Sequence, residues 1–118
     1  MKGFSRAALA VLASCLPAGI FANCLHAEST DYCGPELIRL IYVTTAGPVY
    51  VQPTSSLEPA PQGFVCKPVG GAYFVLESNT PNFKQIYATL ISARVAGAPV
   101  TIVANPARST CTILYVTL

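Results

Sequence analysis

The N-terminal segment, residues 1–22, constrains this chain more than any other feature because it has the layout of a secretory signal peptide. Lys2 and Arg6 give it a basic start, and an apolar run follows over residues 7–16. Ala22 is a small residue of the kind that precedes a signal-peptidase cut. Cleavage there leaves about 96 residues, toward the low end of sizes at which a hydrophobic core stabilises a domain by itself. We therefore expect one exported domain.

Other fates of the N terminus remain open. A second cleavage site follows Ala27, and the segment 12–15 ends in Cys15 with the small-residue pattern that lipoprotein processing uses. A membrane anchor is disfavoured because Pro17 and Gly19 interrupt an apolar stretch that is short for a bilayer. Cleavage predicts a secreted or periplasmic domain, residues 23–118, that is not inserted in the membrane.

Cysteine usage fits export, because an oxidising compartment permits disulfides. Cleavage after Ala22 leaves four cysteines, whereas cleavage after Ala27 leaves three, so an even count favours the earlier cut. The four are Cys24, Cys33, Cys66 and Cys111. Four cysteines allow three pairings, and their spacing alone leaves all three open. None has C-x-x-C spacing and His26 is the single histidine, so we expect neither a metal site nor a cofactor.

The formal net charge of +2 belongs to Lys2 and Arg6, since the basic and acidic residues that follow them balance. A neutral domain lacks the positive surface that binds nucleic acid or anionic membranes. The same neutrality gives little protection against self-association.

The chain predicts a mainly β fold with one helix, in the order β-β-β-β-α-β-β. The predicted strands are 36–44, 49–51, 64–67, 72–76, 100–103 and 112–118, and the helix is 81–96. One helix cannot cover both faces of so apolar a sheet, so we expect a small closed barrel. A long loop, residues 53–63, interrupts the strands and is either functional or a variable surface excursion.

The helix carries the clearest signals. Thr80 is a natural N-cap, Pro81 suits the first helical position, and Gly97 with Pro99 ends the helix. Its apolar stripe comprises Phe83, Ile86, Tyr87, Leu90 and either Ala93 or Arg94.

Catalysis is disfavoured by the side chains available. Glu36, Glu58 and Glu77 could act as acid–base carboxylates, but they fall at strand ends or in a loop, where solvated surface is expected. A serine or cysteine nucleophile needs a base, and His26 lies at the signal boundary. We therefore expect a protein that is not an enzyme.

Tyrosines and one arginine are the candidates for binding. The tyrosines, some of which should be core residues, are Tyr32, Tyr42, Tyr50, Tyr73, Tyr87 and Tyr115. Their rings offer stacking faces for sugars. Arg39 lies in an apolar strand and points to a subunit interface, to a ligand or to water.

The segments 81–94 and 97–102 resemble the helix-plus-strand unit of pentameric binding subunits of bacterial exotoxins, of the subtilase cytotoxin and typhoid toxin types. The similarity covers roughly residues 34–118. The same pattern occurs in short exported bacterial proteins of unassigned function. The resemblance implies an OB-like barrel and a ring-forming, non-catalytic module that binds cell-surface glycans and carries an exported catalytic partner chain. The alternative is a periplasmic or secreted accessory or inhibitor protein.

The resemblance also implies a disulfide near the final strand, Cys66–Cys111, which leaves Cys24–Cys33 as a local N-terminal bridge. It transfers no sugar-contacting residue, because no position matches, so the ligand-binding residues stay unknown at this stage.

Overall fold

A computed structural model describes residues 23–61 and 63–118. The predicted signal peptide and Cys15 lie outside the described residues. The described chain is mainly β with one helix, as expected. Its elements are β1 (Cys24–Ala27), β2 (Thr30–Glu36), β3 (Ile38–Val43), β4 (Val49–Pro53), β5 (Phe74–Leu76), α1 (Phe83–Ala96), β6 (Val100–Ala104) and β7 (Ile113–Thr117).

The strands form two antiparallel sheets, not the predicted closed barrel. One sheet has the order β1-β2-β6-β7 and the other the order β3-β4-β5. Leu37 alone separates β2 from β3, after a register shift between Cys33 and Glu36 that carries the chain from one sheet to the other. An isolated parallel bridge joins Val75 of β5 to Thr112, the residue before β7. Because β5 has three residues, it is too short to close the barrel along β7.

Five strands precede the helix where the sequence predicted four. Strand β1 was missed because it is short, and β2 because its sequence is polar, with Gly34 and Pro35 inside it. The predicted strand 64–67 is wrong, since Lys67 makes a single bridge to Thr110 and no regular strand forms. Nearby backbone N–H groups instead donate to a carboxylate, as described below.

The helix α1 begins later than predicted. Asn82 precedes it in the left-handed conformation with φ of 61°, and no side-chain hydrogen bond caps it, so Thr80 is not the N-cap. Gly97 ends the helix with φ of 68°, as expected of a residue that tolerates positive φ. The predicted stripe is confirmed by the buried residues Ile86, Leu90 and Ala93.

The core lies between the two sheets and α1. Its largest fully buried side chains are Phe74, Leu76, Leu90, Ile102 and Ile113. Each contributes on the order of 1.5–3 kcal/mol through burial of apolar surface. Two disulfides, Cys24–Cys33 and Cys66–Cys111, supplement this small core, in the pairing that the resemblance implied.

Candidate ligand-binding surface

Three tyrosines meet on the outer face of the β3-β4-β5 sheet and form what we call the tyrosine platform: Tyr42, Tyr50 and Tyr73. Tyr42 lies directly opposite Tyr50 in the strand register. The ring centroids are 5.7 Å apart for Tyr42–Tyr50, 6.2 Å for Tyr42–Tyr73 and 6.0 Å for Tyr50–Tyr73. These are the separations of favourable aromatic pairs. The platform follows from β-strand alternation, which turns Val49 and Val51 into the core and Tyr50 outward.

The platform is open to solvent at one side. Tyr42 is 50% exposed, whereas Tyr50 and Tyr73 are half-buried. A tyrosine offers an apolar ring face together with a hydroxyl group that both donates and accepts hydrogen bonds. Such a surface can stack against the apolar face of a sugar ring and bond its hydroxyl groups.

A polar groove of about 280 Å³ adjoins the platform. Its lining includes Arg39, Gln52, Ser56, Glu58 and Gly71. Gln52 follows Tyr50 by two positions on the same strand face, a separation of about 7 Å. Ala72, next to Tyr73 in the chain, lines the groove from the other side. The platform and the groove are therefore one continuous surface.

Arg39 reaches this groove because the β3–β4 register shifts between Ile38 and Leu40. The extra residue of such a bulge leaves the regular alternation of faces. Arg39 is exposed and lines the groove on an edge strand, so the three expectations for it, an interface, a ligand or water, stay open.

Glu36 fixes one wall of the groove, and the expectation of solvated surface is wrong for this residue. It is 3% exposed. Its Oε1 accepts hydrogen bonds from the Thr54 hydroxyl and the Ser55 backbone N–H, both at 2.8 Å, and the Ser55 hydroxyl donates to Oε2. Burial alone would raise the pKa of Glu36, but the hydrogen bonds from Ser55 and Thr54 outweigh it and lower that pKa.

Asp31, also on β2, holds the far end of the same loop. It is 4% exposed, and its Oδ2 accepts from the backbone N–H groups of Val65 at 2.7 Å and Cys66 at 2.6 Å. Its Oδ1 lies 2.5 Å from Nδ1 of His26, its cross-strand partner. His26, set aside in the sequence as a boundary residue, is thus part of the folded sheet. The missed prediction of β1 hid this pair.

The other candidate residues from the sequence lie outside the tyrosine platform and the polar groove. Glu77 forms a bidentate pair with Arg108, with both N–O distances at 2.9 Å. Tyr87 stacks on Phe83 at 6.0 Å. Tyr32 and Tyr115 belong to the other sheet. Within residues 23–61 and 63–118, no group of three or more metal-ligating side chains comes together.

Comparison of the sequence with protein-family models, with curated proteins and with solved structures finds no match. In the described part of the chain, no helix is long and apolar enough to cross a membrane.

Proposed function

We propose that this chain is an exported, non-catalytic module that binds glycans on the tyrosine platform and in the adjoining polar groove. The observation that carries the proposal is the contact of three tyrosine rings beside a groove lined by hydrogen-bonding side chains. Sugar recognition needs these two elements side by side, an aromatic face for stacking and polar groups for hydroxyls. Export agrees with the two disulfides, which persist in oxidising compartments.

The strand connectivity supports an open OB-like arrangement, related to the exotoxin binding subunits named above. Strands β2 and β3 form one nearly continuous segment that serves both sheets. The parallel bridge from Val75 to Thr112 brings β5 beside β7, and α1 connects β5 to β6. Cleavage after Ala22 would leave β1 complete, whereas cleavage after Ala27 would remove it.

Assembly into a ring, including the pentamer of the resemblance, is supported by two unprotected sheet edges. β3 and β7 are edge strands, and Arg39 is the one charged residue in either. Exposed Leu40, Val43 and Leu114 lie on them. Edges with few or no charges and without prolines favour pairing with another chain. If β3 of one copy pairs with β7 of the next, the contact is heterologous, and it forms a ring when the rotation between copies closes.

A groove of about 440 Å³ between α1 and β7 supports the same assembly. Its lining is uncharged and includes Gln85, Thr89 and Tyr115. A catalytic partner chain remains part of the proposal through the resemblance.

The accessory or inhibitor function is the second candidate, because tyrosine and arginine are also enriched at the centres of protein interfaces. In that function the platform, with Arg39 beside it, would contact a protein and not a sugar.

The test of glycan binding is an array of immobilised glycans probed with the mature protein and with Tyr42→Ala. We expect the wild type to bind a defined set of the immobilised glycans. Tyr42→Ala should bind them at least about tenfold more weakly, which corresponds to the loss of roughly 1.4 kcal/mol of stacking energy. Tyr32→Ala, in the other sheet, is the matched control and should bind as the wild type does. Retention of no glycan by the wild type would reject this function in favour of the protein-binding one.

A further inference from the structure

We propose that the polar groove selects neutral sugars and rejects carboxylated ones. This inference rests on the proposed function and names the ligand class of the same surface. It follows from the balance of charges around the groove, which differs from that of a groove built for an anion.

The groove brings together one cation and one anion that do not neutralise each other directly. Arg39 and Glu58 both line it. Among the described residues Arg108 and Glu77 form an ion pair and His26 contacts Asp31, whereas the Arg39 guanidinium and the Glu58 carboxylate are not within ion-pair distance of each other. Both groups are therefore available to a ligand at separate points of the groove.

A neutral sugar satisfies both groups at once. Its hydroxyls can donate to the Glu58 carboxylate and accept from the Arg39 guanidinium, while the Gln52 amide does either. Hydrogen bonds to charged partners are the stronger ones in proteins. A volume of about 280 Å³ accommodates a ligand fragment of sugar size.

A carboxylated sugar meets an unfavourable field. Arg39 is offset by Glu58 in the groove, and buried Glu36 lies directly behind the groove wall formed by Thr54 and Ser55. These three ionisable groups together carry a net negative charge. Like-charge juxtaposition disfavours a ligand carboxylate.

The Glu58 carboxylate lies against the backbone of Gly71. A Cβ atom at Gly71 would overlap that carboxylate, so the side chain lies directly against the glycine. Gly71 also has φ of 71°, a conformation that side-chain-bearing residues rarely adopt. The absence of a side chain at Gly71 therefore leaves the space in the groove that the Glu58 carboxylate occupies.

The experiment uses pairs of immobilised glycans that are identical except for a terminal sugar that is neutral or carboxylated. We expect the wild type to bind the neutral member at least about tenfold more tightly. In Glu58→Gln the preference should narrow, and in Arg39→Gln binding of the neutral member should fall. Glu28→Gln changes the net charge equally at an exposed turn and should leave the preference intact.

The outcomes separate the two proposals. Equal or tighter binding of the carboxylated member overturns the neutral-sugar inference and leaves glycan binding standing. An unchanged preference in Glu58→Gln, with the melting temperature of the wild type, also overturns it. If the wild type binds no immobilised glycan of either kind, the proposed function is overturned, and the inference with it.

Discussion

Substitution of Glu36 by glutamine should destabilise the domain in a pH-dependent way. At neutral pH the Glu36 carboxylate accepts from the Thr54 hydroxyl, the Ser55 N–H and the Ser55 hydroxyl. Glutamine keeps the carbonyl acceptor but places an amide nitrogen where Oε2 accepts from the Ser55 hydroxyl. It loses one charge-assisted bond and weakens the others, and a bond to a charged group contributes about 1.5–3 kcal/mol. We expect a loss of about 2 kcal/mol in the free energy of unfolding.

The pH dependence follows from the sign of the shift. The pKa of Glu36 in the folded protein is below its ordinary value of 4.5. A depressed folded pKa contributes stability that is fully present above the unfolded pKa and is lost as pH falls through the folded pKa. The difference between wild type and Glu36→Gln should therefore be largest at pH 7 and narrow as the pH falls below about 4.5.

Urea unfolding at pH 7, 5 and 3 measures this difference directly. Glu28→Gln, at an exposed turn, removes the same charge and serves as the control, with an expected change within about 0.5 kcal/mol. A difference in the free energy of unfolding between wild type and Glu36→Gln that stays constant from pH 7 to pH 3 would refute the account of this carboxylate. So would an equal loss of stability in Glu28→Gln.

Three further predictions test other parts of the structure. Replacing both Cys66 and Cys111 by serine should cost about 4 kcal/mol, from the separation of 45 residues in the chain-entropy model, and an unchanged melting temperature under oxidising conditions would contradict it. Leu90→Ala should cost about 2–5 kcal/mol in urea unfolding, because the side chain is fully buried, and a cost below 1 kcal/mol would place it outside the core. If the wild type forms a ring, Leu114→Lys should convert it to monomers, because a lysine on an edge strand opposes pairing with another chain. Light scattering measures the molar mass of both proteins, and a monomeric wild type would contradict the proposed ring.

Local signals were sufficient for much of the fold. The helix was predicted from its apolar stripe and from Gly97, and β4, β6 and β7 from their β-branched and aromatic residues. These elements are specified by neighbours in the sequence. Local signals failed for β1 and β2, where pairing across the hairpin and a disulfide stabilise a polar sequence of low strand propensity.

The candidate surface depends on contacts between distant residues. The tyrosines were recognised as possible sugar contacts, but their meeting requires the register that places Tyr42 opposite Tyr50. The role of Glu36 could not be anticipated, because its partners in the loop are 18 and 19 residues away. A strand boundary misplaced by two residues had also assigned it to the solvated end of β3, where the structure has it inside the end of β2.

Titration of the mature domain with a retained glycan, followed by the NMR signals of its tyrosine rings, tests the central claim most directly. The account predicts that the signals of Tyr42, Tyr50 and Tyr73 shift together with a single dissociation constant while those of Tyr32 and Tyr87 stay in place. Shifts confined to the latter pair, or to the β7 edge, would place the ligand elsewhere and contradict the account.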